Sequence, residues 1–186
     1  MKSSVRKSVL WITACVLIVV SQPSFSETNE TLRVRISAAG LQPLKEGTEL
    51  IDFELENLAG ESIKLSSYGG KVVFLNFWAT WCGPCRTEMP SMQKLYDKYR
   101  NNGLEIVAVD LQEDRSRVQN FFSELDLTFT ALLDTKGSAG ATYGARNIPT
   151  TYIIDKKGYV IAGAIGSRDW FSPEVFDFFE TLLGMN

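Results

Sequence analysis

Two cysteines separated by a glycine and a proline, Cys82-Gly83-Pro84-Cys85, carry the clearest chemical potential in this sequence. A cysteine side chain is short, so a disulfide across two intervening residues forms only in a tight turn, and such a pair opens and closes without remodelling a fold. Upstream, Lys71 to Trp78 is rich in β-branched and aromatic residues and reads as a central strand covered on both faces. Downstream, Met89, Met92, Leu95, Tyr96 and Tyr99 recur at helical spacing until Asn101-Asn102-Gly103 closes the helix. The pair therefore falls where a strand hands over to a helix, and there free amide N–H groups and the helix dipole favour a thiolate on the first cysteine. Cys82 is the expected nucleophile. Cys85, one turn in and more buried, would attack the mixed disulfide and release the partner. Arg86 reads equally as added positive charge and as a solvated helix residue.

Composition narrows the chemistry further. The 186 residues contain no histidine, which removes Ser-His-Asp and Cys-His catalysis, histidine-ligated zinc and c-type haem attachment. Structural zinc needs four ligands, and two thiols without imidazole supply too few unless two chains share the ion. A permanent structural disulfide closing so short a loop gains little by chain entropy. Both readings stay beside reversible thiol-disulfide exchange. No metal and no cofactor are expected. A peroxidatic Thr-x-x-Cys loop is absent, because Ala79 lies three residues before Cys82 and Thr80 only two. Hydrophobic residues at 45% and charged residues at 22% suit one globular domain with an extension. A net charge of -3 gives no basic field for nucleic acid.

The N-terminus reads as an export signal. Lys2, Arg6 and Lys7 precede an apolar run from Val9 to Val20, too short for a membrane-spanning helix but suited to a signal-peptide core. Ser24-Phe25-Ser26 then offers cleavage before Glu27. An uncleaved anchor with its positive end inside and lipidation at Cys15 are the alternatives. Residues 1–26 are thus a signal peptide or membrane anchor. Losing their three positive charges leaves 16 Lys+Arg against 22 Asp+Glu, a balance of -6, and keeps Cys82 and Cys85 for an oxidising compartment.

Residues 27–47 show no sustained period and read as a linker or a loose strand around Leu32 to Ile36. The packed domain is expected over 48–186. It opens on a hairpin, 50–55 and 62–65, around Asn57-Leu58-Ala59-Gly60. After the strand and helix around the cysteines come a strand at 104–109, a helix at 116–125, a strand at 129–133 and a short helix at 139–143. A hairpin of 151–154 and 159–165 and a helix at 175–183 complete an α/β domain with a mixed sheet. The acidic residues Asp110, Glu113 and Asp114 read equally as a partner contact and as a solvated loop.

Taken together, Asn76-Phe77-Trp78-Ala79-Thr80-Trp81-Cys82-Gly83-Pro84-Cys85-Arg86, Glu88, Pro90 and Ile148-Pro149-Thr150-Thr151 resemble the exported thioredoxin-like proteins of the TlpA/ResA type. The resemblance spans about Thr48 to Leu183. It implies a thioredoxin fold with an N-terminal β-hairpin and a strand-helix segment inserted at about 110–142, a client disulfide, and a membrane thiol-disulfide electron donor. It makes Pro149 the family's cis-proline, beside which the Ile148 backbone and Thr150 dock an extended client segment. Pro90 matches the proline that kinks the active-site helix. Trp81 would flank and shield the nucleophile, Gly83-Pro84 matches reducing thioredoxins, and Trp78 reads as core. Glu88 corresponds to the family's acidic residue near the cysteines, a general acid/base for the Cys85 proton or a surface acid favourable to the helix dipole. Asn76 stands where cytosolic thioredoxins carry a buried aspartate, and Ile51 where the family often has a proline.

The expectation is therefore a monomeric periplasmic thiol-disulfide oxidoreductase that mainly reduces disulfides in exported clients, with apocytochrome c in cytochrome c maturation one client the resemblance implies. A thiol oxidase or isomerase, and a non-catalytic thioredoxin-fold binding module, are the alternatives.

Overall fold

In the computed structural model, which describes residues 25–185, the chain begins with α1 (Phe25–Ala38), β1 (Gln42–Pro43), β2 (Glu54–Asn57) and β3 (Ser62–Lys64). It continues through β4 (Val72–Trp78), α2 (Gly83–Tyr99), β5 (Leu104–Leu111), α3 (Arg115–Glu124), β6 (Thr130–Asp134) and α4 (Ser138–Thr142). The hairpin β7 (Thr150–Ile154) and β8 (Val160–Ile165) precedes α5 (Pro173–Leu183). The expected signal segment, Cys15 included, lies outside the described residues except for its last two positions. Among the described residues no helix is long and apolar enough to cross a membrane.

All eight strands form one sheet in the order β1-β8-β7-β4-β5-β6-β2-β3. β4 lies inside it, parallel to β5 and antiparallel to β7, and every one of its residues is buried. This is why its sequence is almost continuously apolar: with helices on both sides, neither face meets water. Phe74 and Trp78 pack toward α2 and α5 with Met89, Met92, Leu95, Phe178 and Phe179. Val73, Leu75 and Phe77 face the other layer with Val107, Val109, Leu132 and Tyr143. Alternation along the strand places Asn76 on the same face as Phe74 and Trp78, under α2. The sheet is closed at the edge by the expected hairpin, β2-β3, which joins through β2 to β6. α3 and β6 fall inside the segment expected to be inserted.

Two local expectations change. The strand expected over 50–55 lies at Glu54–Asn57 instead, because the residues before it are committed to other partners. Leu50 N–H donates to the Gly158 carbonyl, and the Asp52 carboxylate accepts from the Ser66 N–H and hydroxyl. The larger change is at 32–36, where the loose strand is part of α1. Leu32, Val34 and Ile36 alternate as a strand would, but Leu32, Ile36 and Ala39 also recur at helical spacing. Docking on α5 selects the second period: Ile36 is buried in the core and Val34 is 60% exposed. Arg35 pairs with Asp177 of α5, and the chain then crosses through buried Leu41 to pair β1 with β8.

Candidate active site

The sheet register sets the site. Phe77 pairs with Thr150 and Asn76 with Thr151, so the C-terminal end of β4 and the start of β7 meet at one edge of the layer. The loop leaving β4 holds Cys82 at the N-cap of α2, with Pro84 in the first turn, where a missing N–H costs nothing. Cys82 and Cys85 are joined by a disulfide with their Cα atoms 5.2 Å apart. The Cys85 N–H donates to Cys82 Sγ at 3.2 Å, and the same sulfur lies 3.7 Å from the Ile148 carbonyl oxygen. A negative charge on that sulfur would thus meet a helix N-terminus and an aimed amide. Cys82 retains 5% of its surface and Cys85 none.

Glu88 is one turn beyond Cys85 on the inner face of α2, and it is 1% exposed. It is not a surface acid. Its carboxylate accepts from Asn76 Nδ2 at 3.1 Å, Trp170 Nε1 at 2.9 Å and the Arg168 N–H at 3.3 Å. Burial pushes its proton affinity up to about 7, against the opposing pull of these donors and of the Arg168 charge. Asn76 Nδ2 also donates to Thr151 Oγ1 at 3.0 Å, which ties β4, β7 and α2 at one point. A carboxyl group so placed is half-protonated near neutral pH, the condition under which it exchanges a proton with a thiol.

A second acid holds the nucleophile's loop from behind. Glu113 accepts from the Thr80 N–H at 2.5 Å and from the Thr80 hydroxyl at 2.7 Å, two residues before Cys82. The Glu113 N–H donates to Asp110 Oδ1 at 3.2 Å, and both side chains are buried. Burial, then the neighbouring Glu113, raises Asp110 to about 8. Burial also works to raise Glu113, but the Thr80 donors and the proton on Asp110 bring it below its ordinary range. Asp110 is thus the member of the pair that holds a proton more tightly. Of the acidic cluster only Asp114 lies at the surface, where it caps α3 through the Arg117 N–H. The reading of the whole cluster as a solvated loop is thus wrong for Asp110 and Glu113, whose partners are the active-site loop and each other.

The residues read as client-binding lie around the disulfide. The Ile148–Pro149 peptide is cis, Pro149 and Thr150 are buried, and Ile148 is half-buried. Gly83 and Pro84 are exposed on the first turn of α2. Trp81 is 68% exposed beside Cys82, so its ring stands out into solvent. Ile165, read in the sequence only as the end of a strand, pairs with Thr150 and is 67% exposed, while Gly166 N–H donates to the Pro149 carbonyl at 2.8 Å. Trp81 and Ile165 thus give the site two exposed apolar residues. Arg86 leans over the Phe121 ring of α3 and reaches Glu124 at 3.5 Å, which turns it away from a purely solvated role. Pro90 lies inside α2, where it offers no N–H to Arg86. Among the described residues no group of three or more His, Cys, Asp or Glu could hold a metal ion.

Sequence reasoning did not find Trp170, Arg168, Ile165 or the Thr80–Glu113 clamp. Each meets its partner only through the fold, since Trp170 is 82 residues from Glu88 in the chain.

Over residues 47–162 the sequence matches the AhpC/TSA family. The chain belongs to this family. The thiol-disulfide oxidoreductase ResA of Bacillus thuringiensis subsp. konkukian is 44% identical over 122 residues, 66% of this chain and 70% of the relative. ResA of Bacillus anthracis is 41% identical over 130 residues, 70% of this chain and 75% of the relative. Among solved structures, a Chlorobium tepidum chain described as a putative thiol:disulfide interchange protein, DsbE, superposes with a TM-score of 0.69 at 35% identity. It covers 76% of this chain and 99% of its own. StoA from Bacillus subtilis superposes with a TM-score of 0.60 at 28% identity, over 70% of this chain and 97% of its own. This AhpC/TSA-family protein is a thiol-disulfide oxidoreductase of the ResA, DsbE and StoA type, with a thioredoxin fold.

Proposed function

We propose that this oxidoreductase works outside the cytoplasm, in the periplasm, as a reductant of disulfides in exported client proteins. The observation that carries the reading is the stack at the head of α2: an aimed amide on Cys82 Sγ, a fully buried Cys85, and a buried Glu88 one turn behind it. In the reduced protein the Cys82 thiolate attacks one sulfur of the client disulfide. A Cys82–client bond forms as the client S–S bond breaks, and the first client thiolate leaves. Glu88, ionised, takes the proton of Cys85, whose thiolate then attacks Cys82 Sγ. The Cys82–Cys85 disulfide forms, the second client thiolate departs, and Glu88 returns the proton. Two electrons pass to the client, and a membrane thiol-disulfide donor restores the dithiol.

Ile148, Pro149 and Thr150 offer the edge on which an extended client segment lies, with Trp81, Gly83 and Pro84 beside the reacting sulfurs. Apocytochrome c, whose cysteines must be reduced to accept haem, is the client that the likeness to ResA favours. Residues 1–26 serve as a cleaved signal or as a tether, and the domain acts as a monomer. In Cys85→Ser the second step is blocked, so a mixed disulfide through Cys82 accumulates and its client is identified by mass spectrometry. A Cys85→Ser protein that traps nothing in its native compartment, while Cys82 stays alkylatable, would overturn the two-step scheme.

A further inference from the structure

The loop between β8 and α5 closes over Glu88 with a residue that has no part in the scheme above. Trp170 is fully buried, and its ring packs edge-on against Phe74 of β4 with centroids 4.5 Å apart. Its two N–H groups are both committed. The main-chain N–H donates to Ser91 Oγ at 3.0 Å, and the Ser91 hydroxyl donates to the Glu88 carbonyl at 2.8 Å. The indole N–H donates to Glu88 Oε2 at 2.9 Å. Trp170 therefore grips Glu88 at the backbone, through Ser91, and at the side chain. The ring itself is held: the Arg168 guanidinium lies 5.2 Å from its centroid and is anchored to the Gly40 carbonyl.

We propose that Trp170 is a positioning residue for proton transfer, its indole N–H orienting the Glu88 carboxylate and stabilising its charged form while Cys85 is deprotonated. The inference rests on the reading of Glu88 as the acceptor of that proton. The physical case is that a buried carboxylate needs donors to exist at all, and an indole can only donate. It therefore favours the ionised acid, because its bond to a carboxylate oxygen is stronger than its bond to the carbonyl oxygen of the neutral acid, and it offers no acceptor to the acid's O–H. Of the other groups facing Glu88, Asn76 and the Arg168 N–H are neutral donors, and the Arg168 charge acts in the same direction as Trp170. The cysteines on α2 are the remaining titrating groups.

The test uses the full chain with carbon-13-labelled glutamate. In the disulfide form, where no thiol titrates, the Glu88 carboxyl resonance should move with a midpoint near 7. Trp170→Phe keeps a ring but loses the donor, and the midpoint should rise by about one pH unit, the worth of one hydrogen bond to a charged group. The rate at which Cys85 resolves a preformed Cys82–glutathione mixed disulfide should shift along the pH axis by the same amount. An unmoved midpoint, or a rate lowered equally at every pH, would show that Trp170 only fills space and would overturn the inference. Should Trp170→Phe fail to fold, benzothienylalanine at position 170 keeps the indole shape with sulfur in place of N–H, and the same two outcomes decide. Glu88→Gln separates the two readings. If it leaves the pH profile of resolution unchanged, Glu88 is not the proton acceptor, whatever Trp170 does to the carboxyl titration.

Discussion

At the scale of single residues, chemistry at this site depends on side chains that never touch sulfur. Glu113 commits both oxygens to Thr80 while Asp110 keeps a proton beside it. Removing the Glu113 side chain leaves the part-buried Thr80 N–H and hydroxyl without their partner, while the Glu113 main-chain bond to Asp110 survives, and each orphaned polar group costs about 1–3 kcal/mol. Glu113→Ala is thus expected to lower the urea midpoint by the equivalent of at least ~2 kcal/mol and to slow alkylation of Cys82 in the reduced protein. Thr80→Val loses the hydroxyl but keeps the main-chain donor, so its cost is about 1 kcal/mol with little change in Cys82 reactivity. Equal effects from the two variants would mean that the main-chain bond does not matter.

At the scale of elements, α1 shows how tertiary packing arbitrates between two periods. As a helix it buries Ile36 against α5 and leaves Val34 outside, whereas a strand would have put both on one face. Ile36→Ala should therefore cost about 2–4 kcal/mol, the range for a truncated core aliphatic, and Val34→Ala less than about 0.5 kcal/mol. The pair Arg35–Asp177 is largely solvent-facing and is expected to contribute below about 1 kcal/mol. Urea denaturation of Ile36→Ala, Val34→Ala and Arg35→Ala checks the order. The same helix leads into Gly40, whose carbonyl holds Arg168, so the N-terminal segment reaches the loop over Glu88 through one hydrogen bond.

At the scale of the whole molecule, two buried acids make stability depend on pH. Glu88 is raised from 4.5 to about 7 and Asp110 from 3.8 to about 8, burial being the main cause in both. Between those limits the folded protein binds more protons than the unfolded chain, so stability falls as pH rises through that window. Above it the full cost of charging the buried groups is present. For Glu88 alone this amounts to something on the order of 3 kcal/mol. Asp52 and Glu113 are lowered and act oppositely, losing their contribution in more acidic solution. The disulfide form should therefore be most stable in mildly acidic solution, near about pH 5. Unfolding free energies from urea titrations between about pH 5 and 8 should decline, and Glu88→Gln should make the decline below about pH 7 shallower, with the Asp110 contribution remaining. A wild-type curve that rises over this interval would contradict the burial of both acids.

What could be read from residue order was whatever repeats at short range. The strand before Cys82, the helix after it and the turn residues of both hairpins each advertise themselves within a dozen positions, because backbone period and turn chemistry are local, whereas Ile148-Pro149 was legible only through the family resemblance. Those signals sufficed to place Cys82 at a helix N-terminus and Glu88 one turn beyond Cys85. The fold alone decided that Glu88 lies inside rather than on the surface, that Asp110 and Glu113 are buried behind Thr80, and that residues 32–36 coil instead of extending. Burial is a property of what arrives from elsewhere in the chain, and Trp170, Arg168 and α5 arrive with no periodic trace of their destination.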